Sequence, residues 1–288
     1  MVDYPGRFAW YELMTTDMAA AKAFYANVVG WGALDASTPG LAYTLFTAED
    51  IPVSGLMDLP KEARTMGATP RWMGYVCVDD VDAHADRIRR RGGAVYVPPT
   101  DSNIGRISVV ADPQTTTLAL VAGLKFGPGQ PAELDQPGGV GWHELLAADW
   151  AQAFAFYGEL FGWQTTDAKI DPTASYQLFS AGGQTIGGMC AKRPIEPAPY
   201  WLYYFNIGDL DAAAERVKTG GGRIFEGPFE VPGGSWIVRC VDPQGAIFAL
   251  QGKRSQDAVA RAPASEVGWS TEWSGISSRG RLVTKPRG

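Results

Sequence analysis

The chain has 288 residues, 45% of them hydrophobic and 11% aromatic, with 25 Lys and Arg against 31 Asp and Glu for a formal net charge of −6. That length accommodates two domains of common size, each able to bury a core of its own. The acidic balance argues against nucleic acid as a partner, because phosphate binding needs a cationic face, and no apolar run is long enough to cross a bilayer.

In chain order, a strand is expected from Phe8 to Met14, followed by Asp17 as a helix N-cap. Ala20, Ala21, Phe24 and Val28 recur at helical spacing, and Gly30 ends that helix. Short strands are expected near Gly32–Leu34, Tyr43–Thr47 and Pro52–Met57. The unit then recurs. Met73–Val78 reads as a strand, Asp79-Asp80 caps a helix to about Arg91, and strands follow near Ala94–Val97, Arg106–Ala111 and Thr117–Val121.

The whole arrangement appears twice. Trp10-Tyr11-Glu12-Leu13, Asp17, Phe24-Tyr25 and Gly30-Trp31 return 132 residues later as Trp142-His143-Glu144-Leu145, Asp149, Phe156-Tyr157 and Gly162-Trp163. Val78-Asp79-Asp80-Val81-Asp82-Ala83 returns as Ile207-Gly208-Asp209-Leu210-Asp211-Ala212, and Asp112-Pro113-Gln114 as Asp242-Pro243-Gln244. Helices are expected near Trp150–Leu160 and Leu210–Thr219. A repeat of this length is a domain rather than a solenoid unit. Between the copies, residues 123–139 carry Gly127-Pro128-Gly129 and Gln136-Pro137-Gly138-Gly139, the composition of a linker. The tail, residues 252–288, is basic, shows little periodicity and reads as flexible. Cys77, Cys190 and Cys240 are odd in number and widely spaced, which suits a reducing compartment. With no basic region and apolar stretch at the start, a cytoplasmic location is expected.

These markers resemble the vicinal oxygen chelate superfamily, which includes glyoxalase I, bleomycin-resistance proteins and extradiol dioxygenases. The resemblance implies an α+β fold with two tandem domains, residues 7–122 and 140–251. Each is a pair of strand-helix-three-strand modules forming a cupped, mostly antiparallel sheet, with helices on its outer face. The fusion implies a pseudo-twofold pair within one chain, and hence a monomer or weak homodimer.

Enzymes of that family hold a divalent metal in the cup. The resemblance places the ligand positions at Trp10, Met73 and Ala119 in copy one and at Trp142, Leu202 and Ala249 in copy two. None of these side chains is a strong metal ligand, and the strands Val53–Met57 and Ile186–Cys190 add no carboxylate or imidazole, leaving Cys190 alone among these positions able to ligate a metal strongly. The chain has two histidines. His84 falls in a helix, and His143 alternates with Trp142 and Glu144, so it points to the opposite sheet face. No metal and no other cofactor is expected.

Alternation directs Trp10, Glu12 and Met14 into the first cup with Met73, Tyr75 and Cys77. It directs Trp142, Glu144 and Leu146 into the second, with Leu202, Tyr204 and Asn206, and Trp236 as a further wall. Glu12 and Glu144 are the candidate acids or bases, since burial raises a carboxyl pKa. A structural role, holding strands together through backbone or tyrosine bonds, stays open for both. Trp10, Tyr75, Trp142, Tyr204, Asn206 and Trp236 are the candidate ligand-binding residues. Aromatic walls bind planar or hydrophobic molecules by stacking and area burial. Two functions follow. One is a metal-free protein that sequesters a small hydrophobic or aromatic ligand, cationic ones suiting the acidic chain. The other is a lyase, isomerase or oxygenase that uses a cup glutamate or an atypical metal site.

Overall fold

A computed structural model of the chain describes residues 5–127, 134–166 and 176–255. The first half runs β1 (Phe8–Thr15), α1 (Met18–Val28), β2 (Gly32–Asp35), β3 (Tyr43–Ala48), β4 (Ile51–Asp58), α2 (Lys61–Thr65), β5 (Arg71–Cys77), α3 (Val81–Arg90), β6 (Ala94–Asp101), β7 (Arg106–Ala111) and β8 (Thr117–Ala122). The second runs β9 (Val140–Ala147), α4 (Trp150–Phe161), β10 (Gln164–Thr165), β11 (Tyr176–Ala181), β12 (Gln184–Ala191), β13 (Tyr200–Asp209), α5 (Leu210–Thr219), β14 (Arg223–Val231), β15 (Ser235–Val241) and β16 (Ile247–Lys253).

The four long helices start the same way. Asp17, Asp80, Asp149 and Asp209 hold extended backbone and accept the amide of the residue three positions on, at 2.9–3.0 Å. Each cap satisfies a donor that the first helical turn leaves without an intrahelical partner. Gly162 ends α4 in the left-handed region at φ 70°. The short helix α2 follows Pro60, which offers no side-chain cap, and it has no counterpart among the sequence expectations.

Each half forms one eight-stranded sheet, in the orders β2-β3-β4-β1-β5-β8-β7-β6 and β10-β11-β12-β9-β13-β16-β15-β14. The central pairs β1–β5 and β9–β13 are antiparallel, whereas β1–β4, β5–β8, β9–β12 and β13–β16 are parallel. Each module therefore returns its last strand alongside its first. The architecture is the expected α+β doubling.

The helix-bearing faces of the two sheets meet, so those faces are internal. One apolar core joins Leu13, Phe24, Tyr25, Trp31 and Trp72 of the first half to Tyr157, Trp163, Tyr203, Phe205 and Phe248 of the second. Reciprocal contacts close it. Tyr25 Oη donates to Asp242 Oδ2 at 3.1 Å and Tyr157 Oη to Asp112 Oδ2 at 3.0 Å. Trp31 Nε1 donates to Gly138 O at 2.9 Å and Trp163 Nε1 to Gly6 O at 2.5 Å. Matched residues exchange partners across a pseudo-twofold axis, as in an isologous dimer. Tyr11 and His143, repeat equivalents of each other, meet near that axis with Oη and Nε2 2.5 Å apart.

The linker is anchored at both ends. Lys125 N donates to Ile104 O, and Gly138 N donates to Asn206 O, each at 2.9 Å. Of the expected tail, Gly252 and Lys253 complete β16, and Arg254 pairs with Asp211 at 3.0 Å. The expectation of a flexible segment from 256 onward lies outside the described residues. No described helix is long and apolar enough to cross a membrane.

Candidate functional site

With the helix faces buried in the shared core, the opposite face of each sheet carries the remaining clusters. Two small apolar clusters line these cups. The first gathers Trp10, Tyr43, Leu45, Met73, Tyr75, Ile104, Ala119 and Val121. The second gathers Leu146, Cys190, Leu202, Tyr204, Ile237 and Ala249, with half-buried Trp142, Tyr176, Tyr200, Phe229 and Val231 packed around it. Strand alternation put Trp10, Glu12, Tyr75, Trp142, Glu144 and Tyr204 on these faces, and the structure brings each trio together on adjacent central strands.

In the first cup, Glu12 is 4% exposed. Tyr43 Oη donates to its Oε1 at 2.7 Å and Tyr75 Oη to its Oε2 at 2.5 Å, while Trp10 Nε1 donates to Tyr43 Oη at 3.2 Å. Gly55 on β4 makes this possible: a Cβ there would collide with the Tyr43 ring. Burial raises the Glu12 pKa against the lowering by both phenols.

The second cup repeats the aromatic arrangement with different charge. Tyr204 Oη donates to Glu144 Oε2 at 2.7 Å, and Trp142 Nε1 donates to Tyr176 Oη at 3.0 Å over Gly188, where a Cβ would strike the Tyr176 ring. Arg239 from β15 then enters. Its Nη2 donates to Glu144 Oε2 at 2.6 Å, its Nη1 to Glu226 Oε2 at 2.6 Å, and its Nε to Tyr204 Oη at 3.1 Å. The Arg239 and Glu144 side chains are each 3% exposed. Burial opposes the Arg239 charge, but Glu144, Tyr204 and Glu226 outweigh it and hold the guanidinium well above its ordinary pKa. The network continues outward, with Arg193 bridging Glu226 and Glu196 at 3.2 Å each and Tyr200 Oη donating to Glu196 at 2.9 Å. Glu144 Oε1 accepts no hydrogen bond among the described residues.

Two expected wall residues are placed elsewhere. Trp236 lies on the opposite face of β15 from Arg239, in the shared internal core, with the Arg254 guanidinium 4.9 Å from its ring centroid. The pairing of Trp236 with Gly252 and of Arg239 with Ala249 sets that parity. Asn206 has the right parity but lies past the cup, where it holds the linker. Its Nδ2 donates to Leu134 O and Gln136 O at 2.9 Å each, and its Oδ1 accepts from Gln251 at 2.6 Å. Tyr43 and Tyr176 went unassigned, although both are tyrosines 133 residues apart and so follow the repeat. Strand alternation likewise assigns Arg239 no partner. Its pairing with Glu144 depends on a register between β15, β16, β13 and β9 that local patterning does not encode.

His143 is buried on the internal face. Its Nδ1 lies 2.6 Å from Ile186 O, which requires the proton on Nδ1, and its Nε2 accepts from Tyr11. Burial pushes its pKa down to about 4. The Cys190 thiol borders the second cup, and burial raises its pKa well above the ordinary value, which makes it a poor nucleophile. Nowhere among the described residues do three or more His, Cys, Asp or Glu converge as metal ligands. Trp10, Met73 and Ala119 face the first cup, and each cup floor presents one glutamate. That donor set does not fit a divalent metal.

The model of the Glyoxalase/Bleomycin resistance protein/Dioxygenase superfamily matches residues 7–120 and 139–250. A protein of Mycobacterium tuberculosis described as "Putative glyoxylase CFP32" is 33% identical over 246 residues, 84% of this chain and 92% of that one. The "Anthracycline biosynthesis protein DauV" of Streptomyces sp. strain C5 is 31% identical over 264 residues, 85% and 93% of the two chains. Among solved structures, a Mn(II)-bound glyoxalase from Novosphingobium aromaticivorans superposes with a TM-score of 0.60 at 16% identity, covering 88% of this chain and 84% of that one. The 2,3-dioxygenase LapB from Pseudomonas sp. KL28 does so with 0.61 at 13% identity, covering 88% and 94%.

Proposed function

The chain belongs to the glyoxalase/bleomycin resistance protein/dioxygenase superfamily, and from that premise we propose that it binds a small hydrophobic or aromatic molecule in the second cup, without a metal. The observation that carries this reading is Glu144. It is a buried carboxylate under half-buried aromatic walls, held on one oxygen by Tyr204 and Arg239. Its other oxygen meets no donor among the described residues. A ligand ring would stack on Trp142, Tyr176 or Phe229, while an ammonium or hydroxyl group donates to Oε1. The acidic net charge supports a cationic ligand. The name of the Streptomyces relative, an anthracycline biosynthesis protein, supports a fused aromatic ligand.

An enzymatic reading rests on the same carboxylate. A Glu fixed by Arg239 beside a phenol is placed to take a proton from a bound carbon or oxygen acid. The two readings part on turnover. A panel of planar amines is titrated by calorimetry, with elemental analysis of the purified protein. Glu144→Gln weakens the amines at least tenfold, about 1.4 kcal/mol, with an unchanged circular dichroism spectrum. Product formation from a bound compound, abolished by that substitution, establishes the enzyme instead. Near-stoichiometric metal in either cup, lost on substituting cup residues, overturns the metal-free reading.

A further inference from the structure

The two cups differ in what closes them. In the first, the chain leaving β8 turns back over the aromatic floor. Lys125 N donates to Ile104 O at 2.9 Å, Leu124 and Phe126 pack on the cup cluster, and the Phe126 ring lies 6.2 Å from that of Trp10. Ile104, from the turn between β6 and β7, adds to the cover. Trp10 is left only 1% exposed.

The second cup lacks each of these groups at the matched place. Arg106 pairs with Ala122 as Trp236 pairs with Gly252, so Ile104, Leu124 and Phe126 correspond to Gly234, Arg254 and Gln256. Gly234 has no side chain to offer, and Arg254 turns to the other sheet face, onto Trp236 and Asp211. Trp142, the counterpart of buried Trp10, is half-buried, as are Phe229 and Val231 on β14. Grouped aromatic surface of this kind marks a contact.

The segment able to supply the missing cover starts where β16 ends. Residues 256–288 lie outside the described residues, but their sequence carries what the positions beside β16 lack. Val267, Trp269, Thr271 and Trp273 alternate with Gly268, Ser270 and Glu272, so an extended segment puts both tryptophans on one face. The stretch from Ser255 to Trp269 reaches at most about 46 Å. Trp142 stands on β9, two strands from β16 and so roughly 10 Å away. Farther on come Arg279, Arg281, Lys285 and Arg287 with no acid among them, whereas the whole chain is at −6, so the acidic body attracts the segment.

We propose that residues 267–273 fold back over the second cup and seat Trp269 and Trp273 against Trp142 and Phe229, as Phe126 sits against Trp10 in the first. The regulatory consequence rests on the second cup being the ligand site: a ligand enters by displacing the chain's own aromatics, and the resting protein is self-occupied. The seating itself stands on the mismatch between the two cups.

The test uses the full chain. A photoreactive benzophenone amino acid replaces Trp269, and the cross-linked peptides are identified by mass spectrometry. The cross-links form within one chain and fall in β9, β12 or β14. In parallel, planar amines are titrated by calorimetry. They bind Trp269→Ala/Trp273→Ala about tenfold tighter than wild type, the factor that nine-tenths occupancy by the segment imposes. Trp269→Phe/Trp273→Phe, which keeps two aromatic rings, stays close to wild type, and all variants keep the wild-type circular dichroism spectrum. Cross-links that map to the first cup, to the helices or to a second molecule overturn the proposal, as does their absence. Equal amine affinity in wild type and the alanine variant overturns the regulatory consequence. If no amine binds either protein, the cross-link still reports the seating, so failure of the second-cup ligand reading registers separately.

Discussion

At the scale of single residues, Arg239 pairs with Ala249 across β15 and β16 where Val109 pairs with Ala119 across β7 and β8, and that one difference changes the chemistry of two otherwise matched floors. Arg239 neutralises Glu144 and Glu226 at once, at 2.6 Å each. Removing one member of a buried ion pair is worse than never having had the pair, because the partner is left charged and dry. Arg239→Met is therefore expected to destabilise the protein by about 3–5 kcal/mol, measured by urea unfolding. Adding Glu144→Met recovers part of that loss, since the uncompensated charge goes with it. A double variant as unstable as the sum of its singles contradicts this account of the pair.

At the scale of elements, β1 and β9 each serve two environments, and alternation is the reason. Trp10 and Glu12 face one cup and Trp142 and Glu144 the other, while Tyr11 and His143 face the seam between the halves. This part was legible in the sequence, because period-two alternation is local and the repeat checks it twice. The position of Trp236 was not legible, since its face follows from register with β16, a long-range pairing. The clamp by Asn206 was likewise hidden, as its partners Leu134 and Gln136 are carbonyls of a linker with no periodicity. His143 gives the element-scale prediction. Its pKa falls from 6.5 unfolded to about 4 folded, so folding favours the neutral ring. The resulting stability is present above pH 6.5 and is lost as pH falls from there through about 4. At 1.36 kcal/mol per unit this is on the order of 3 kcal/mol. Glu12, Asp112 and Asp242 have raised pKa values and shift stability the opposite way on acidification. The informative quantity is therefore the stability difference between wild type and His143→Gln, which keeps a donor and an acceptor in place. That difference should shrink across this window. A constant difference would mean that His143 does not resist protonation.

At the scale of the whole molecule, the two sheets share one core, so the repeat is a unit of sequence rather than of stability. Phe24 and Tyr25 pack on Phe248, Trp31 and Trp72 pack on Phe205, and Phe8 packs on Trp163 and Trp201 across the seam. Separating the halves would expose this aromatic surface to water and leave the Tyr25–Asp242 and Tyr157–Asp112 bonds unmade. Unfolding should therefore be a single cooperative transition, whether read at the first cup or the second. Tyr25→Phe and Tyr157→Phe probe the seam from both sides, and Tyr25→Phe should cost the more, because it also orphans Trp72 Nε1, which donates to Tyr25 Oη at 2.9 Å. Each removes one buried donor to an aspartate that keeps its backbone partners, Gln244 and Ala246 for Asp242, Gln114 and Thr116 for Asp112. Each should cost about 1–2 kcal/mol, and together they should add, since the two bonds share no partner. Either substitution should shift the transition seen by reporters in both halves equally. Two resolved transitions, or a Tyr25→Phe effect confined to one reporter, would show that the halves unfold independently.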